Sequence, residues 1–218
     1  MIKKIFYIFI LLFSSFTFSQ LSKIHYIPPI TSGPSNADPI DQYIYISTPS
    51  AGDVNFTINT IGSTSVSGTV SNASPYRHPI STAGYSSFVQ DPATTSRVTS
   101  DRGFIIEADS PIYVSVRLNA GGNAQAGALV SKGENALGTT FRIGTYDNQG
   151  SPGSNYLNFF SFMATEDNTT VNLTSNNTSG LVIENFGTSQ FPINNIVLNR
   201  GQSYTVAVRP DQATGNRA

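Results

Sequence analysis

The 218-residue chain has no cysteine and no tryptophan, and only 11% of its residues are charged. Without cysteine there are no disulfides, no thiolate metal sites and no cysteine nucleophile, and the acylated cysteine of a lipoprotein is missing too. Any domain here must be held by its own apolar core. Globular proteins usually carry ~25% charged residues, so Ser, Thr, Asn and Gln must cover much of this surface, which suits twisted sheets and polar loops. Twelve Lys and Arg face 13 Asp and Glu; setting aside Lys3 and Lys4 leaves ten basic residues and a net charge of about −3. These charges are scattered and form no basic stripe. That excludes the electrostatic footprint of a nucleic-acid binder and a polybasic membrane-surface role.

Long apolar runs are also missing, with one exception. Ile5 to Phe13 is unbroken, yet well short of the ~20 residues of a spanning helix. Lys3 and Lys4 precede it, and Thr17-Phe18-Ser19 places small residues at the two positions a signal peptidase reads. This is the layout of a signal peptide over residues 1–19, with cleavage before Gln20. The expectation is a secreted or cell-surface protein with no membrane insertion after cleavage.

The remaining sequence lacks helical periodicity. Short β-branched and aromatic runs recur between Gly, Pro, Asn and Ser: Tyr43 to Ser47, Val54 to Ile58, Gly103 to Glu107, Ile112 to Leu118, Thr140 to Ile143, Asn158 to Ala164, Thr170 to Thr174, Gly180 to Glu184, Asn195 to Leu198 and Ser203 to Val208. Ile112, Val114, Val116 and Leu118 would share one strand face. Ala108 to Pro111 reads as a turn, and Asn123 to Leu129 as a short helix or a small-residue edge. Residues 26–42, with Pro28, Pro29, Pro34 and Pro39, read as a lead-in lying along an edge or outside the sheet. The predicted fold class is all-β, with antiparallel, sandwich-like units.

A faint repeat suggests duplication. Thr48 to Thr57 aligns with Thr165 to Thr174 at an offset of 117, with four of ten pairs identical, and Gly84 falls on Gly201 at the same offset. Asp91 to Arg97 aligns with Asp211 to Arg217 at an offset of 120, with four of seven pairs identical. Repeated matches in one order point to a duplicated β-unit. The expected organisation is a signal peptide over 1–19, a first β-unit over 20–145 and a second over 146–218. Gly144 to Asn155 is the boundary. The second unit is expected to be incomplete at its C-terminus, as in a fragment, because the counterpart of Ile112 to Leu118 is missing.

No set of residues specifies catalysis, a cofactor or a metal. His25 and His78 are far apart; His78, in Tyr76-Arg77-His78-Pro79, reads as a solvent-facing turn histidine, and no G-x-S-x-G elbow accompanies it. Glu107 with Asp109, and Glu166 with Asp167, are the carboxylate pairs that could do acid–base work if they faced each other across a cleft. Glu166-Asp167-Asn168 is oxygen-rich but lacks the ladder of a calcium loop, and Asp and Asn equally favour turns. Gly121, Gly122 and Asn123 lack the Lys and Ser/Thr of a phosphate loop.

Three stretches carry a resemblance: Ala136 to Phe141, Phe162-Met163-Ala164-Thr165-Glu166-Asp167-Asn168-Thr169-Thr170-Val171, and Leu198-Asn199-Arg200-Gly201-Gln202-Ser203-Tyr204. They resemble the N-terminal domain of the IgG Fc-binding protein family. The opening, from Gln20 through His25 to Pro29 and from Asp41 to Pro49, is similar to bacterial members. The resemblance spans nearly all of the chain after residue 19. It implies a non-enzymatic adhesive or binding module of a larger exported protein, of the kind associated with type IX secretion and gliding motility. The partner would be an extracellular protein or glycan. A structural spacer and a carbohydrate-active enzyme are the alternatives.

Overall fold

The computed structural model describes residues 20–31, 39–82, 84–120, 126–144, 158–175, 181–185, 187–188 and 191–210. The N-terminal segment 1–19, Gly121 to Asn123, and all of the expected boundary except Gly144 lie outside them. Among the described residues the chain is β-stranded apart from loops and two short 3-10 turns, Pro92–Thr94 and Gly133–Ala136. Its strands are β1 (Ser22–Ile27), β2 (Ile30–Thr31), β3 (Pro39–Ser47), β4 (Val54–Thr60), β5 (Ser65–Val70), β6 (Tyr76–Ser81), β7 (Val89–Gln90), β8 (Val98–Thr99), β9 (Phe104–Ala120) and β10 (Ala126–Ser131). There follow β11 (Asn158–Met163), β12 (Thr169–Leu173), β13 (Leu181–Ile183), β14 (Gly187–Thr188), β15 (Ile193–Leu198) and β16 (Ser203–Pro210).

The 17-residue β9 is the spine. Its first half pairs with β1 on one edge and β4 on the other; its second half pairs with β10 and β3. Two antiparallel sheets result, β5-β4-β9-β1 and β6-β3-β9-β10, joined through one bent strand. Phe104, Ile106, Ile112, Val114 and Val116 are all buried, with Ala108 and Leu118 packed beside them. These even-numbered positions thus face the core on both sides of Ser110, where they meet Ile44 and Ile46 of β3 and Val54, Phe56 and Ile58 of β4. Each such side chain contributes ~1.5–3 kcal/mol on burial.

This corrects the turn expected at Ala108 to Pro111: the segment stays in the strand while its partner changes from Phe56, opposite Ala108, to Ser47, opposite Tyr113. Tyr76 to Pro79 is likewise no turn but part of β6, paired with β3. The proline lead-in enters the sheet, since Pro39 starts β3, which lies between β6 and β9; Pro39 sits at the strand's first residue, where proline is tolerated. Ala126 to Leu129 is edge strand, not helix. Thr140 to Ile143 is no strand, and Phe141 and Ile143 are exposed.

A second apolar cluster forms around Ile183, Ile193, Ile196, Leu198, Tyr204 and Val206, from β13, β15 and β16, with the half-buried Phe160 and Phe162 of β11 against it. Burial raises the Tyr204 pKa to about 12. The repeat aligns β6 with β15 and β3 with β11 in position, but pairing differs: β6 pairs with β3, whereas β15 pairs with β12 and β11 with β16. Residues 92–99 stitch the two clusters together. β8 adds to β16, the Ser96 N–H donates to Thr205 O at 2.8 Å, and the Asn185 amide donates to Pro92 O (2.9 Å) and Thr95 Oγ1 (2.8 Å).

One turn carries visible conformational constraint. Gly133 has φ +56°, and a Cβ there would lie 2.1 Å from Ser22 Cβ and 2.8 Å from Ile24 O. Gly133→Ala should destabilise the protein by about 1–3 kcal/mol from backbone conformation alone, more with the clash. Urea unfolding would show the midpoint falling; an unchanged midpoint would contradict the packing of β1 against this turn.

Candidate functional site

The pairs singled out in sequence fall in different settings. Glu107 and Asp109 are on β9, on its non-core face, two residues apart along one strand. Asn55 of β4 donates to Asp109 Oδ2 at 2.7 Å, and Arg200 Nη2 donates to Glu107 Oε1 at 2.9 Å. Their surroundings are a shallow polar concavity of about 590 Å³ between β4, β5 and β9, floored by Thr57, Ser67, Gly68 and Thr69. Both carboxylates are thus engaged by neighbouring side chains, Glu107 by Arg200 and Asp109 by Asn55. Arg200 is the residue that joins the clusters here. Its hydrogen bond to the Tyr26 side chain, and secondarily Glu107, raises its pKa above the ordinary value. With both side chains nearly half exposed, the ion pair contributes at most ~1 kcal/mol.

Glu166, Asp167 and Asn168 form an exposed turn between β11 and β12, and sequence reasoning missed what they grip. Asp167 Oδ1 accepts from the Arg200 N–H at 2.9 Å, and the Asn168 N–H donates to Asn199 Oδ1 at 3.1 Å. The Gly201 N–H donates to Ala164 O at 2.8 Å and the Ala164 N–H to Gln202 O at 2.9 Å. The turn is thus clasped to the β15–β16 turn by side chain and backbone. Asn168 (φ +57°) and Gly201 (φ +84°) both adopt the left-handed conformation, which Asn and Gly tolerate best. Asp167 Oδ1 and Asn199 Oδ1 are taken up by this clasp. Among the described residues, no three His, Asp or Glu side chains are placed to hold a metal.

With the clasp established, two of the three stretches behind the resemblance, Phe162 to Val171 and Leu198 to Tyr204, are seen to be one structural unit. The profile of the IgGFc binding protein family matches residues 126–217. The IgGFc binding match includes both halves of the clasp and runs from β10 into β16. It is narrower than the resemblance, because residues 20–125 lie outside it. The family consists of binding modules and is not an enzyme family. No curated protein and no solved structure matches the chain.

The histidines lie on β1 and β6, which do not pair with each other. His78 is half-buried on β6 and not in a solvent-facing turn; burial pushes its pKa down. His25 is fully buried. Its Nε2 is 3.0 Å from Ile112 O and 3.2 Å from Ser22 O, and Nδ1 is 2.9 Å from Ser131 Oγ. Two carbonyls at Nε2 require the proton there, so Nδ1 accepts from Ser131. This side chain ties β1, β9 and β10 together at the bend.

Sequence reasoning also missed a surface on the outer face of β6-β3-β9. Tyr43 and Tyr45 project side by side from β3, with ring centroids 6.2 Å apart. The Arg77 guanidinium of β6 lies 4.8 Å above the Tyr43 ring, and that of Arg117 of β9 lies 5.3 Å above the Tyr45 ring. The Tyr-Ile-Tyr-Ile alternation marks the tyrosines as sharing a face; only strand register brings the arginines to them.

Burial pushes the His25 pKa below its ordinary 6.5, against weaker opposing pulls from the carbonyls of Ile112 and Ser22 and from Glu134. Folding therefore favours the neutral ring. Its contribution is complete above about pH 6.5 and declines as pH falls from there toward the lowered folded value; His78 acts in the same sense. Urea midpoints should drop between pH 7.5 and 5, and His25→Gln should flatten that slope while lowering stability at pH 7.5. An unchanged slope in the variant would show that His25 is not the titrating group. Glu107→Gln should change stability by less than ~1 kcal/mol, measured in the same assay.

Proposed function

We propose that this chain is a non-catalytic binding module of a larger exported bacterial surface protein, with an extracellular ligand. The observation that carries the reading is the match of residues 126–217 to a family of binding modules. The engagement of the acidic groups supports it: Glu107 pairs with Arg200, Asp109 accepts from Asn55, and Asp167 bridges two turns. Lys3, Lys4, the apolar run to Phe13 and Thr17-Phe18-Ser19 support export and cleavage before Gln20. The family name points to a protein ligand; immunoglobulin itself is not assigned, because specificity resides in individual surface residues and not in a fold.

Two measurements test this. Mass spectrometry of the protein recovered outside the expressing cells should give an N-terminus at Gln20; an intact Met1 would refute the signal peptide. Residues 20–218, immobilised and exposed to a panel of purified extracellular proteins and glycans, should retain at least one saturably. Retention of none would remove the binding-module reading.

A further inference from the structure

The outer face of β6-β3-β9 lies outside the matched segment, so what it does stands independently of the reading above. Arg77 and Arg117 are exposed and flank the half-buried Tyr43 and Tyr45 from the two neighbouring strands. Among the described residues the salt bridges are Arg102–Asp101 and Arg200–Glu107; neither Arg77 nor Arg117 has a carboxylate partner. Two guanidiniums without a carboxylate partner on one sheet face give that face a local positive charge in a chain of net charge −1. Each guanidinium carbon lies over a phenol ring, 4.8 Å and 5.3 Å from its centroid, a cation–π contact that limits the side-chain freedom lost on binding.

The geometry selects the ligand class. β3 is paired on both edges, so an extended peptide cannot add to it by backbone hydrogen bonds, and a ligand lying over its tyrosines is read by side chains. Two isolated cations are too few for a membrane surface, which reads clusters of ~4–8 basic residues, or for a nucleic-acid backbone. The arginines stand two strand spacings apart across the sheet, roughly 9–10 Å, and are offset by two residues along it, with the tyrosines of β3 between them. That pattern suits a linear polymer whose anionic groups are spaced by whole rings, with C–H-rich ring surfaces to lie against the tyrosines. We propose that Arg77, Tyr43, Tyr45 and Arg117 form a binding site for a carboxylated polysaccharide. The carboxylates meet the guanidinium edges in bidentate hydrogen bonds, and the intervening sugar rings rest on the two phenols.

The test uses residues 20–218 and polygalacturonate as the probe, with neutral dextran, dextran sulfate and poly-glutamate as comparison arms, read by biolayer interferometry. Polygalacturonate should bind saturably and weaken in about 1 M NaCl, where the Debye length is ~3 Å. The double variant Arg77→Gln/Arg117→Gln should lose at least tenfold in affinity with an unchanged melting temperature, since both side chains are exposed. Arg77→Lys/Arg117→Lys should recover only part of that loss, because an ammonium lacks the planar fork. Tyr43→Leu/Tyr45→Leu should also weaken binding. The proposal is overturned if the glutamine variant binds like the wild type, if polygalacturonate does not bind, or if poly-glutamate or dextran sulfate binds as well as polygalacturonate. Retention of another ligand by the glutamine variant would leave the module reading standing while polygalacturonate fails, so the two ideas fail separately.

Discussion

The first cluster depends on one constraint, the unbroken pleat of β9. Its even-numbered apolar side chains from Phe104 to Leu118 point to the core on both sides of the place where its partner strands change. A one-residue slip at that bend would turn half of the strand's apolar residues outward. His25 guards the same place. Its ring spans from Ile112 O to Ser131, and Ser131 Oγ accepts from the Gly133 N–H at 3.2 Å. The bend is thus pinned by hydrogen bonds through one buried imidazole, whose burial favours the neutral ring.

That strand also decides which outer surfaces are covered. Along its first half, Ile105 is buried, with Ile61 and Gly201 close by, and Glu107 reaches Arg200. Along its second half the outward residues are Tyr113, Ser115 and Arg117, which stay open enough for Arg117 to lie over Tyr45. The covered half gives the two clusters their contact; the open half gives the chain its most distinctive exposed surface. Low charge sharpens the contrast, since few neighbouring carboxylates are at hand to neutralise an exposed guanidinium.

The residues most suggestive of chemistry do structural work. Glu166-Asp167-Asn168 and Asn199-Arg200-Gly201-Gln202 are rich in side-chain oxygens and amides because two tight turns must satisfy each other's backbone groups. Buried or half-buried N–H and C=O groups need partners, and short polar side chains supply them at turns. Both stretches lie within the segment matched by the IgGFc binding protein profile, and the clasp gives them one shared structural role.

The sequence by itself determined the all-β class and most strands that carry alternating apolar residues, because burial on one face imposes a period of two that needs no partner to be read. It also located the two signature turns. Tertiary structure alone decided that Ala108 to Pro111 continues a strand, that Tyr76 to Pro79 forms one, and that Thr140 to Ile143 does not. It alone brought Arg77 and Arg117 to the tyrosines of β3 and Arg200 to Glu107. Strand pairing joins residues dozens of positions apart, and local preference at either end carries no information about which partner, or which register, the other end will supply.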